Sequence, residues 1–377
     1  MIARNVTPLY AAGFVTAFGA HSIAASLGGY EHGSLLTLGI LLAIYDGAEI
    51  VLKPVFGAVV DRIGPRPVLL GGLLAFALAS AAFVFAGEPG AVGLTRFGQG
   101  AAAAAFSPAA SAMVARLAPK ARHGRAFGSY GAWKGLGYAL GPVLGGVLIT
   151  VGGFPLLFAT LAGLALAVAV WALVAVPAVE PLPKVRQTVL DLARRISSPG
   201  FLRPTGTLAA STAALAVGVG FLPVQGAAAG LGTVATGAAV SVLAAAAAVV
   251  QPYAGRARDA GRLSEKVGMA AGLALAAVGF VVAAALPGLV GILVAALAIG
   301  AGTGVVTPLG FAALAAVTPP ERLGQTMGSA EVGRELGDAG GPLLVGGIAV
   351  AAGLAGGFLG LTAVLVVTAV AVASSVE

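Results

Sequence analysis

The 377-residue sequence has no cysteine, little charge and few aromatic side chains. Without cysteine there is no disulfide framework, no thiol nucleophile and no thiolate metal site, and the redox compartment stays open. Lys, Arg, Asp and Glu make up 9% of the chain, against about 25% in soluble domains. That deficit excludes a soluble globular fold. Phe, Trp and Tyr, at 6%, form no pattern from which a substrate can be read. The three histidines show no metal-ligand spacing, and neither a nucleophile–base set nor a phosphate loop is visible. An enzyme, a metal site and a cofactor are therefore not expected.

Apolar residues make up 59% of the chain and the mean hydropathy is +1.01, as in an integral membrane protein. A span needs about 20 apolar residues, so twelve would occupy about 240 positions and leave only short connections. Apolar runs fall near 8–27, 34–58, 67–86, 91–115, 126–150, 155–176, 205–223, 232–254, 267–286, 289–314, 325–350 and 354–374. The first reads as a span rather than a cleaved leader.

A pI near 10.1 invites a nucleic-acid reading, but the basic residues are placed otherwise. Of 21 Lys and Arg, 17 lie in alternate connections, while the opposite connections hold none and carry Glu31 and Glu88. By the positive-inside rule both termini are cytoplasmic in a multi-pass protein of the plasma (inner) membrane. The Pro-bounded segment from Pro177 to Pro204 carries an amphipathic run, Val185 to Ile196, and reads as a cytoplasmic surface helix. It separates a first six-span half (1–176) from a second (205–377).

The halves repeat. At an offset of 200, Ser107-Pro108, Pro119, Gly128-Ser129 and Gly141-Pro142 match Thr307-Pro308, Pro319, Gly328-Ser329 and Gly341-Pro342. At an offset of 198, Pro54, Gly57 and Asp61 match Pro252, Gly255 and Asp259. Parallel six-span repeats are a transporter architecture.

Three motifs then stand out. The loop Gly57-Ala-Val-Val-Asp61-Arg62-Ile-Gly64-Pro65-Arg66 has a shortened copy from Gly255 through Asp259 to Arg262. The fourth span carries Arg96-Phe-Gly-Gln99-Gly100, and the fifth carries Gly141-Pro142-Val-Leu-Gly145-Gly146, which recurs at Gly341-Pro342. On these residues the chain resembles a major facilitator superfamily transporter over its whole length, similar to proton-coupled exporters of small molecules. Pro65 departs from the resembled loop, which usually has a basic residue there. The resemblance implies an all-α fold of twelve transmembrane helices in two pseudo-symmetric six-helix bundles around a central cavity. It also implies a cytoplasmic gate at the Gly57 loop. The repeated glycine motif is equally well explained by close helix packing.

Charge inside the spans carries the strongest functional signal. Asp46, Glu49 and Lys53 fall at i, i+3 and i+7, and Glu331, Arg334, Glu335 and Asp338 at i, i+3, i+4 and i+7, so each set forms one stripe. Ionisable groups at membrane depth cost roughly 2.5 to 3.5 kcal/mol each and persist where they pair or line a polar path. Counted along the second and eleventh spans, Lys53 and Glu331 lie roughly 7.5 Å deep, Glu49 with Arg334 and Glu335 roughly 12 to 14 Å, and Asp46 with Asp338 roughly 18 Å. In the resembled fold these spans face each other. Lys53 is then expected to pair with Glu331, Glu49 with Arg334, and Asp46 with Asp338 to form the proton-coupling pair, Glu49 and Glu335 being next in line. A structural charge network is the competing reading.

Candidates for the cavity wall are His21, Arg96, Tyr130, Trp133, Lys134, Tyr138 and Gln225. His21 reads either as a proton relay or as a packing residue, and Arg96 and Lys134 either as anion binders or as charge compensation. The expected function is secondary transport by alternating access, as proton-coupled efflux of a small molecule by a monomer. Alternatives are proton-coupled uptake, movement of a lipid-like substrate, or a scaffold or sensor that does not transport. The expected partners are the bilayer, the substrate and protons, with no nucleic acid.

Overall fold

The computed structural model describes residues 2–30, 35–179 and 189–374. Glu31, Lys184, Arg186 and the first part of the expected linker helix lie outside the described residues. Among those described there is no strand. The helices are α1 (Ile2–Tyr30), α2 (Leu35–Ile63), α3 (Pro65–Ala82), α4 (Pro89–Leu117), α5 (His123–Ala175), α6 (Val189–Ile196), α7 (Pro199–Ala228), α8 (Thr233–Asp259), α9 (Glu265–Ala285), α10 (Leu289–Val317) and α11 (Leu323–Ala373).

Two of these are too long to be single spans. A helix of 53 residues, the length of α5, would reach about 80 Å if straight, against a hydrocarbon core of about 30 Å. The backbone breaks instead at Gly152 and Gly153, the latter at φ 71°, and Pro155 opens the next segment. α11 breaks at Gly353, φ 69°, the residue 200 positions on from Gly153. Both breaks need a positive φ that glycine alone adopts without strain. Apart from the eight-residue α6, the described helices therefore supply twelve segments. α6 is a short helix with Asp191 in its first turn and Arg194 and Arg195 in its last.

Large apolar side chains point outward, among them Phe85, Val174, Leu343 and Val350. In water such a surface would aggregate; in a bilayer it is the lipid face.

The chain forms two compact units. Unit 1 comprises Met1–Ala118, Trp133–Arg186 and Thr318–Val332, and unit 2 comprises Pro119–Ala132, Gln187–Val317 and Gly333–Glu377. The units follow the two halves of the sequence except in two segments, 119–132 and 318–332, which are the starts of α5 and α11 with the turns before them.

Within unit 1, α4 is the hub against which α1, α2 and α3 pack. Its alanines from Ala102 to Ala105 are buried, so the alanine run is a packing surface. A Cβ on Gly100 would lie 2.5 Å from the Tyr45 carbonyl oxygen, which shows how closely α4 and α2 approach. Because lipid is as apolar as leucine, such close backbone packing supplies what the hydrophobic effect supplies in water. Unit 2 is built the same way on α10, with α7, α8 and α9 around it.

Candidate functional site

The second and eleventh helices bring three of the expected residues, Glu49, Lys53 and Glu331, together at one crossing within unit 1. Gly57 on α2 and Gly324 and Gly328 on α11 remove the side chains that would hold the backbones apart. A Cβ on Gly57 would stand 2.6 Å from the Gly324 oxygen, and one on Gly328 2.6 Å from the Lys53 oxygen. The Asp61 carboxylate accepts hydrogen bonds from the backbone N–H of Gly324 at 2.7 Å and of Gln325 at 2.9 Å. These are orphan donors of the first turn of α11, at the positive end of its dipole.

About two turns along α2 from the Asp61 cap, Lys53 is buried. Its Nζ lies 3.4 Å from Glu49 Oε1 and 3.8 Å from Glu331 Oε2, and both Lys53 and Glu331 are 1% exposed. Lys53 thus serves two carboxylates, one from its own helix and one from α11. In unit 2, Arg334 lies with its guanidinium 5.6 Å from the Phe311 ring centroid, and its Nε donates to Thr212 Oγ1 at 3.3 Å. Of the remaining acids, Asp46 and Asp338 are exposed and Glu335 is half-buried.

The rest of the Gly57 loop also has a local explanation. Gly64, at φ 91°, precedes α3, and Pro65 occupies the first helical position, where a missing N–H costs nothing. The proline that departs from the resembled motif is therefore a helix starter. Arg66 donates through its terminal nitrogen to the Leu173 carbonyl at 2.6 Å, near the end of α5, while Arg62 is exposed. Arg116, at the foot of α4, has its pKa lowered by burial, which the charges of Asp61 and Glu321 only partly offset.

Unit 2 contains a second crossing of the same design. The Asp259 carboxylate accepts from the N–H of Gly124 at 2.9 Å and of Arg125 at 2.7 Å, at the start of α5. Gly255 on α8 lies against the Gly124 oxygen as Gly57 lies against that of Gly324. Arg258 braces this cap, donating to Asp259 Oδ1 at 3.1 Å and to Glu265 Oε1 at 2.9 Å. Burial opposes its charge, but these two acids outweigh burial and raise its pKa. Arg262 is exposed just beyond. At the positions equivalent to Lys53 and Glu331 stand Gln251 and Gly131. Gln251 is buried, and its Oε1 fills the space a Gly131 side chain would need. The repeat offsets of 198 and 200 carry this substitution of an amide for an ion pair, and it is the feature motif reading passed over.

The cavity candidates divide. His21 of α1 is exposed and its ring centroid lies 4.3 Å from that of Tyr138, while Lys134 Nζ lies 5.8 Å from the same tyrosine ring. Trp133 is 40% exposed. Arg96 stands elsewhere in unit 1, 2% exposed, 4.5 Å over the Tyr45 ring and donating to the Leu41 carbonyl at 3.4 Å. Tyr130 is buried in unit 2. The Gln225 amide nitrogen donates to the Ala283 carbonyl of α9, which ties two helices together.

The glycine motif packs in both repeats. A Cβ on Gly141 would stand 2.9 Å from the Phe18 oxygen, one on Gly145 2.8 Å from Ser22 Cβ, and one on Gly341 2.8 Å from Ala213 Cα. Pro142 and Pro342 follow within the same helices, and Ser22 Oγ donates to the Gly141 carbonyl at 2.8 Å. Gly146 departs from the expectation, since among the described residues a Cβ there would meet nothing within 4 Å.

Comparison with known proteins agrees with this architecture. The Major Facilitator Superfamily profile matches residues 9–259 and 206–376. Puromycin resistance protein pur8 of Streptomyces alboniger is 43% identical over 93 residues, 24% of this chain and 18% of that protein. The class H tetracycline resistance protein of Pasteurella multocida is 32% identical over 124 residues, 33% of this chain and 31% of that protein. The matched stretches thus span less than a third of either relative. Among solved structures, a human organic anion transporter superposes with a TM-score of 0.82 at 18% identity, over 98% of this chain and 99% of that one. The fucose:proton symporter of E. coli gives 0.81 at 14% identity, over 98% of each chain; both likenesses establish the fold alone. By fold and by family profile, the chain belongs to the Major Facilitator Superfamily of membrane transporters.

Proposed function

We propose that this chain expels a small, drug-like molecule across the plasma membrane in exchange for protons. Its halves, 1–176 and 205–377, would alternate access around a central cavity, joined by the cytoplasmic segment 177–204. The observation that carries this reading is the charged stripe on α2 and the start of α11, where Lys53 is shared between Glu49 and Glu331 at 3.4 and 3.8 Å. Buried ion pairs are weak sources of stability and make better sense as elements of a switch. Asp46 and Asp338 are the coupling carboxylates in this reading. Both are exposed to solvent, which gives protons access to them.

The caps made by Asp61 and Asp259 would act as latches. Releasing either one strands a carboxylate and two helix N–H donors, so release must coincide with entry of water at that end. The direction of transport draws support from the relatives, whose names record resistance to puromycin and to tetracycline.

The test is a proteoliposome assay with an imposed pH gradient and a panel that includes puromycin, a tetracycline and a quinolone. Addition of a transported compound should dissipate the gradient and drive the compound toward the acidic side. Accumulation on the alkaline side would establish uptake instead. Movement of no compound, with no proton flux, would remove transport of this class.

A further inference from the structure

We propose that a recess in unit 2, ringed by Arg122, Arg125 and Arg256, binds the headgroup of an anionic phospholipid. The recess has a volume of about 450 Å³ and is lined by these three arginines with Ala121, Asp259 and Ala260. It lies where the start of α5 meets the end of α8, at the level where spans give way to connections.

Its charge is unbalanced. The one acid in the lining, Asp259, already accepts from Gly124 N, Arg125 N and Arg258. Arg258 in turn is held by Glu265 and Asp259. Arg122, Arg125 and Arg256 are exposed, and among the described residues none of them has an ion-pair partner. Guanidinium groups bind phosphate oxygens through paired, charge-assisted hydrogen bonds, and basic pockets between spanning helices are a recurrent form of lipid headgroup site.

The fold repeats, but this cluster does not. In the other crossing the equivalent positions hold Arg322, Gln325 and Ala58, with Glu321 in place of Ala121. Three convergent arginines are therefore a property of this one site, not of the architecture or of a generally basic surface.

The flank of the recess favours a lipid over a soluble phosphate. Val249, Tyr253 and Arg256 occupy one stripe of α8 at i, i+4 and i+7; Val249 is 59% and Tyr253 63% exposed. The stripe descends about 10 Å from headgroup level into apolar depth. Arg256 lies 5.2 Å over the Tyr253 ring, so the phenol bridges a charged head and an apolar tail as tyrosine does at membrane interfaces.

The experiment titrates the purified full-length chain in detergent with short-chain phosphatidylglycerol, with phosphatidylcholine, and with glycerol phosphate as the chainless control. Binding is followed by native mass spectrometry and by thermal unfolding. Phosphatidylglycerol should bind saturably and raise the unfolding temperature, phosphatidylcholine should not, and glycerol phosphate should bind far more weakly. The variant with Arg122→Gln, Arg125→Gln and Arg256→Gln should bind phosphatidylglycerol on the order of 100-fold more weakly, roughly fivefold for each arginine. A control with Arg194→Gln, Arg203→Gln and Arg322→Gln loses the same charge elsewhere and should stay close to the parent. Should the triple variant not fold, the three single variants carry the same test at roughly fivefold each. Tyr253→Ala should weaken the lipid but not glycerol phosphate. Equal loss in the control variant would overturn the site. Equal affinity for glycerol phosphate would overturn the lipid assignment.

Discussion

The two glycine-lined crossings, α2 with the start of α11 and α8 with the start of α5, share a backbone plan and differ in what they bury. Both remove side chains at the contact, and both end in an aspartate that caps the partner helix. The first buries an ammonium between two carboxylates; the second buries the amide Gln251 against Gly131. The neutral crossing shows that this packing needs no charge. The charges of the other are therefore additional to the fold, and their cost calls for a function.

The comparison breaks most sharply at the equivalent positions 53 and 251. Lys53→Met strands two buried carboxylates and should cost about 3 to 5 kcal/mol. Gln251→Met removes an amide whose Oε1 is buried without a partner and should cost less than about 1 kcal/mol. Thermal unfolding of the two variants measures the contrast, and equal losses would mean that the charges merely fill space.

Exchanging the charges sharpens it further. Lys53→Glu combined with Glu331→Lys re-forms the pair across the crossing but sets an acid beside Glu49, 3.4 Å from the present lysine nitrogen. Recovery should be partial, and adding Glu49→Gln should increase it, by about 1 to 2 kcal/mol. If the exchange alone restores full stability, Glu49 is not part of the set.

Next come the caps, where the crossings should behave alike. Asp61→Ala and Asp259→Ala should each cost about 0.5 to 2 kcal/mol, the usual range for a lost helix cap. Asp259→Ala should be the more harmful, because it also takes a partner from Arg258. Arg258 has a raised pKa, so its contribution is intact below the ordinary arginine range and is lost only as pH rises above it. The Asp259→Ala loss should therefore be flat from about pH 5 to 9.

The smallest effects belong to glycines that pack against little. Gly146→Ala and Gly346→Ala have room for a Cβ, with no neighbour among the described residues nearer than 3.9 Å. Each should be neutral or stabilising by about 0.5 to 1 kcal/mol through helix propensity. A loss above 1 kcal/mol at either site would indicate a close contact there.

Much of this was legible in the sequence. Apolar runs and loop charge located the spans, and the breaks at Gly153 and Gly353 fall where those runs were seen to end. The depth count along the second and eleventh spans put Lys53 level with Glu331, because a helix converts residue number into height. Hydropathy cannot register which side chains a helix turns toward a given neighbour. Gly146 thus read as a packing glycine, although among the described residues a Cβ there would meet nothing within 4 Å. Nor do apolar runs reveal that the first turns of α5 and α11 cluster apart from the rest of their helices, since that depends on the backbone contacts made by Asp61, Asp259 and the glycines around them.

The central claim is that the charges on α2 and α11 couple protons to transport while the neutral crossing only packs. It is tested most directly by pH-gradient-driven substrate movement in proteoliposomes containing Asp46→Asn or Asp338→Asn protein, compared with the Gln251→Met variant. The account predicts that both aspartate variants fold and bind substrate yet lose gradient-driven transport, while Gln251→Met retains it. Full gradient-driven transport by both aspartate variants, with unchanged pH dependence, would contradict it.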